Sequence, residues 1–218
     1  MVPMTEIVVV GSVNLDLVVG VDHIPIVGET VLGGDLARIP GGKGANQAVA
    51  AARLGRSVAI VGRVGDDDAG ITLRTSLHAD GVDTTQLLDT PGVASGIALI
   101  AVQSDGDNVI IVSPGANGRL APADVAASPA LAEARVVLVQ AEIPMECIVE
   151  AARGAGGLVV WNPAPAPSDG VPFDLLESVD VLVPNQTELA AIADHDGPVD
   201  RSVAVRLCRD LPTAAVVV

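Results

Sequence analysis

The sequence predicts an α/β fold: a mostly parallel sheet with helices on both faces, plus a small β-sheet that projects as a lid. Three observations carry this reading. Continuous β-branched runs alternate with helical patterns along the chain, which implies parallel strands buried on both faces. Half of the 218 residues are hydrophobic and only 1% are aromatic, so the interior is aliphatic. Two stretches, within about residues 12–37 and 96–113, break the rhythm with strand-like runs beside polar turns.

Taken in order, Ile7–Val10 is the first buried strand, and Asn14–Val21 and residues 30–37 supply the first lid strands. A glycine turn, Pro40-Gly41-Gly42-Lys43-Gly44-Ala45, then opens onto a helix over 46–54 that stops at Gly55. Strand 58–61 and helix 69–78 follow. Gly96–Gln103 and Asn108–Ser113 form a hairpin around Ser104-Asp105-Gly106-Asp107. Its aliphatic run Ile97-Ala98-Leu99-Ile100 needs cover, and a second subunit is expected there. Strand 136–139, helix 145–153, strands 158–161 and 181–183, and helices 187–193 and 203–209 continue the alternation. Residues 214–218 read as a further buried strand with nothing after it, so residues 1–218 are expected to be one α/β domain, incomplete at its C-terminus.

A formal charge of −15 argues against nucleic acid or an anionic membrane surface as partner, since both need a basic face. Glu6 and Asp16 interrupt the apolar N-terminus, which excludes an ordinary signal peptide, and no run reaches the roughly 18 apolar residues that span a bilayer. Cys147 and Cys208 lack metal-type spacing and read as free thiols of a reducing cytoplasm.

The glycine turn is the most informative element. Adjacent glycines leave backbone amides bare, Lys43 and Asn46 offer donors, and a helix N-terminus suits a polar or anionic ligand. It is not a Walker loop, which would need glycine at Ala37 and Ser or Thr at Gly44, nor a dinucleotide fingerprint, which would need a small residue at Gln47. Asn14 and Asp16 fall on one face of an extended segment. A carboxylate beside an amide suits neighbouring hydroxyls of a sugar.

Gly41-Gly42-Lys43-Gly44-Ala45-Asn46-Gln47-Ala48 with Gly55 and Gly65, Asn14-Leu15-Asp16, Val139-Gln140-Ala141-Glu142-Ile143-Pro144, and Asn185-Gln186-Thr187-Glu188 occur in that set along nearly the whole chain. With these elements the chain resembles the ribokinase branch of the PfkB family of carbohydrate kinases. The resemblance implies a ribokinase-like fold and a pentose held by Asn14, Asp16, Gly42, Lys43, Asn46 and Glu142. It also implies ATP at Asn185 and magnesium met through water at Glu188. As a residue alone, Glu188 also suits a helix start, where the macrodipole favours a carboxylate.

The implied reaction moves the ATP γ-phosphoryl group to the terminal hydroxyl of D-ribose, with Mg2+ and possible activation by a monovalent cation such as K+. The implied assembly is a homodimer through the lid. The family's general base lies in a Gly-Ala-Gly-Asp segment that this sequence does not contain. No catalytic residue is therefore assigned within the chain, the base is expected beyond Val218, and the 218-residue chain alone is expected to be inactive. Two alternatives stand beside this reading: another small-sugar or nucleoside kinase of the family, and a non-catalytic sugar-binding truncated protein. Scarce aromatics disfavour a nucleoside, since only Trp161 and Phe173 could stack a base.

Overall fold

The computed structural model describes residues 5–168 and 170–218. In chain order the strands are β1 (Ile7–Val10), β2 (Asn14–Val21), β3 (Ala37–Gly41), β4 (Val58–Gly65), β5 (Asp83–Thr90), β6 (Gly96–Gln103), β7 (Asn108–Ser113), β8 (Val136–Gln140), β9 (Leu158–Asn162), β10 (Val181–Leu182) and β11 (Ala215–Val216). The helices are α1 (Lys43–Arg53), α2 (Asp68–Ala79), α3 (Pro122–Ala126), α4 (Ala130–Glu133), α5 (Met145–Gly154), α6 (Phe173–Ser178), α7 (Gln186–Ile192) and α8 (Arg201–Asp210). A 3-10 turn, Gly115–Arg119, joins β7 to α3.

Seven strands pair in parallel in the order β11-β10-β9-β8-β1-β4-β5. Alternation along β1 divides the interior. Val8 and Val10 join one apolar cluster with Ile148, Leu175 and Trp161, while Val9 joins the other with Ala48, Leu73 and Leu77. Helices therefore cover both faces, as two-sided burial of a β-branched run requires. Cys147 lies in the first cluster, where burial pushes its thiol up to about 12, and it donates to the Leu120 carbonyl at 3.3 Å.

The order reverses at β1: the chain moves outward through β4 and β5 on one side, then through β8 to β11 on the other. Such a switch point leaves a crevice at the strand carboxyl ends. The second sheet, ordered β3-β2-β6-β7, rises from it because β2 follows β1 directly. In it β2 runs antiparallel to β3 and parallel to β6, and β6 and β7 form the expected hairpin.

Two sequence expectations shift, and one strand was not foreseen. The lid strand expected at 30–37 lies instead at β3, beyond the expected bound of residue 37, with Pro40 opposite Leu15. Proline is tolerated there because β3 is an edge strand. The strand expected over 214–218 is two residues long, with Val217 and Val218 more than half exposed rather than buried. β5, Asp-Thr-Thr-Gln-Leu-Leu-Asp-Thr, is an edge strand whose polar composition hides it from apolar periodicity.

Candidate functional site

Gly42 ends the glycine turn at φ +94° and is the residue before α1. A Cβ there would lie 2.7 Å from the Asn14 amide nitrogen and 2.9 Å from the Ser12 carbonyl, so the turn can press against the β1–β2 connection only as glycine. Gly41 is constrained too: an added Cβ would run into the Asp16 carboxylate.

The N-terminus of α1 is closed by groups from elsewhere in the chain. The Lys43 amide donates to Glu142 Oε2 at 3.1 Å, the Gly44 amide to Ser12 Oγ at 3.3 Å, and the Ala45 amide to the Ser12 carbonyl at 2.9 Å. Ser12 Oγ donates to the same Glu142 oxygen at 2.6 Å, and Lys43 Nζ lies 3.2 Å from Glu142 Oε1. Glu142 arrives from the end of β8 and is 9% exposed at its side chain. The anion position at this helix start is thus filled by the protein's own carboxylate. An external phosphate would have to displace it.

Asn14, Asp16, Gly42, Lys43, Asn46 and Glu142 line one cavity of about 290 Å³. The sequence reading brought together the same six residues. The cavity has a second wall that it missed: Ala98 and Ile100 of β6, Ile110 and Val112 of β7, and Pro165. Register explains this wall, since Asp16 pairs with Ala98 and Ala98 with Val112, placing them on one face of the lid. One side is polar and one aliphatic, which suits a small polyol with hydroxyl edges and a C–H face.

Burial holds the Asp16 carboxyl above its ordinary range, the nearby Glu142 charge raises it further, and Lys43 pulls it down. Two carboxylates against one ammonium make the cavity a poor place for a phosphate and a good one for neutral hydroxyls.

Ser12 and Asn117 are polar, buried and bonded to the site, yet the sequence reading passed over both. Ser12 follows β1 in Gly11-Ser12, and Asn117 sits among turn-forming residues of Pro114-Gly115-Ala116-Asn117-Gly118. Neither carries a charge or a motif that marks it.

Asn185 and Glu188 do not line this cavity. Asn185 caps α7: its Oδ1 accepts the Glu188 amide at 2.8 Å, while Glu188 Oε2 accepts the Asn185 amide at 2.8 Å and Oε1 its side-chain nitrogen at 2.9 Å. This is the reciprocal box of a helix start. Each Glu188 oxygen accepts one bond in this box and keeps lone-pair capacity for one more, at a residue only 7% exposed. Among the described residues no group of three or more His, Cys, Asp or Glu is placed to hold a metal directly. Nor is any helix long and apolar enough to cross a membrane.

A family model described as pfkB family carbohydrate kinase matches residues 4–218. The chain is 41% identical over 193 residues to a ribokinase of Bacillus subtilis, spanning 87% of this chain and 65% of that protein. It is 35% identical over 199 residues to a deoxyribokinase of Salmonella typhi, spanning 89% of this chain and 64% of that protein. Among solved structures, Arabidopsis thaliana ribokinase complexed with ribose and ATP superposes with a TM-score of 0.83 at 30% identity, over 97% of this chain and 70% of that one. The chain spans just under two thirds of the length of these curated relatives.

Proposed function

The chain belongs to the pfkB family of carbohydrate kinases, and from this premise we propose that it carries the sugar site of an enzyme that phosphorylates D-ribose. The reaction transfers the ATP γ-phosphoryl group to the terminal hydroxyl and yields ribose 5-phosphate. The observation that carries this reading is the convergence of Asn14, Asp16, Gly42, Lys43, Asn46 and Glu142 on one cavity of about 290 Å³. The ribose and ATP named with the Arabidopsis structure agree with it.

In this reading Asp16 and Glu142 accept from sugar hydroxyls, while Lys43 and Asn46 donate to them. Gly42 lets the backbone approach the ring, and the aliphatic lid wall excludes water. Asn185 and Glu188 serve the nucleotide side, with Glu188 meeting magnesium through its water shell. Bound magnesium neutralises phosphate charge. No described residue is assigned to a monovalent cation.

The outer face of the lid, where Leu99 and Ile111 pair directly and are 48% and 61% exposed, is the surface through which two copies associate. Free Cys147 and Cys208 and the use of ATP support a cytoplasmic location in this reading.

Calorimetric titration of the chain with D-ribose tests the site. Asp16→Ala is expected to weaken D-ribose roughly 10- to 100-fold, the worth of a charged hydrogen-bond partner, and to leave ATP binding unchanged. D-ribose affinity that survives Asp16→Ala refutes the assignment. A parallel titration with 2-deoxy-D-ribose separates the ribose reading from a deoxyribose one.

A further inference from the structure

Asn117 stands at the end of the lid hairpin, in the 3-10 turn that follows β7, yet its side chain reaches back to the floor of the sugar cavity. It is 1% exposed and Asn14 is 2% exposed, so their amides must satisfy one another or the backbone. Asn117 Oδ1 accepts the Val13 amide at 2.9 Å. Its Nδ2 donates to the Val13 carbonyl at 3.2 Å and to Asn14 Oδ1 at 2.7 Å.

We propose that Asn117 is a positioning residue that fixes the polarity of Asn14, so that the cavity meets Asn14 as a donor and the ligand atom opposite it must be an acceptor. A backbone N–H can only donate, so the Val13 amide compels the Asn117 oxygen to face it. The Asn117 nitrogen then lies on the other side, facing the Val13 carbonyl and Asn14. A nitrogen with protons to give compels Asn14 to present its oxygen. Asn14 Nδ2 is thereby turned away from Asn117, in a residue that lines the cavity. Orientation passes from the backbone to Asn117, then to Asn14, without a free choice at any step.

Gly96 secures the arrangement, because a Cβ at that position would collide with both Asn117 Nδ2 and Asn14 Oδ1. The pair has no room to swing apart on the β6 side.

The consequence for the ligand rests on the sugar-site reading above. A hydroxyl whose oxygen accepts from Asn14 must give its own proton elsewhere. Asp16, two residues along the same strand face and acceptor-only when ionised, is placed to take it. The fixed amide and the carboxylate together read a hydroxyl as acceptor and donor at once. A deoxy position would leave the Asn14 donor orphaned.

The test compares Kd values of D-ribose and its monodeoxy analogues in the parent and in Asn117→Ala. Freed from Asn117, Asn14 can turn away from an unfilled position. The largest ratio between a monodeoxy sugar and D-ribose is then expected to shrink about tenfold, the scale of one orphaned buried donor. If Asn117→Ala weakens every sugar equally and keeps the ratio, its role is structural and the proposal is overturned.

Should that variant fail to fold, nitrogen-15 NMR of the parent decides. The Asn14 side-chain NH2 resonances are expected to shift when D-ribose saturates the chain, and no shift at saturation overturns the proposal. Absence of D-ribose binding by the parent is a separate result, one that removes the sugar-site reading on which this proposal stands.

Discussion

Asp16 carries a charge that its surroundings resist. Burial raises its proton affinity, the Glu142 carboxylate raises it again, and Lys43 offsets only part of this. Because its folded titration lies above the ordinary value of 3.8, the ionised form destabilises the folded chain at neutral pH. That cost fades as pH falls through the raised folded range, and it is gone below 3.8, where the carboxyl is protonated in both states. Asp16→Asn copies the protonated form. Its melting temperature should exceed the parent's at pH 7, the gap should close toward pH 3.8, and sugar affinity should fall, as expected where function opposes stability. Calorimetric melting across pH measures this, and a gap that widens toward acid would contradict it. Ser12, the Lys43 amide and the Lys43 ammonium surround the Glu142 carboxylate. Glu142→Gln keeps the shape but loses the charge, and should cost about 1–2 kcal/mol in urea unfolding through the weakened helix start.

Among elements, α7 offers the cleanest separation of support from function. Asn185→Ala removes a cap and leaves the Glu188 carboxylate without one of its two donors, so urea unfolding should lose about 1 kcal/mol with no nucleotide present. An unmoved midpoint would mean that the box contributes nothing to the fold. The central strands and α1 were legible because β-branched runs and a glycine-bounded apolar stretch have few other solutions. Residues 30–37 misled because Thr30-Val31-Leu32 looks more strand-like than Ala37-Arg38-Ile39-Pro40-Gly41. An edge position forgives the proline that periodicity reads as a breaker. The six cavity residues were legible as donors and acceptors grouped by motif. Ser12 and Asn117 were not, because their partners lie 130 and 103 residues away in sequence, a relation that spacing does not encode.

At the scale of the whole molecule, the outer lid face is the unfinished surface. Ile111→Lys should convert a dimer to a monomer in light scattering while leaving the melting temperature nearly unchanged, since that side chain is already 61% exposed. A parent that is monomeric at micromolar concentration would remove the dimer from the proposal. The same connectivity that builds the cavity also dates its appearance. Val13 needs Asn117, Ser12 needs Glu142, β2 needs β6, and Pro165 completes the wall, so synthesis must pass Pro165 before the whole binding surface exists. Such distant pairings form late and slowly. Sugar in the medium should therefore leave the refolding rate untouched and act almost wholly by slowing escape from the native state.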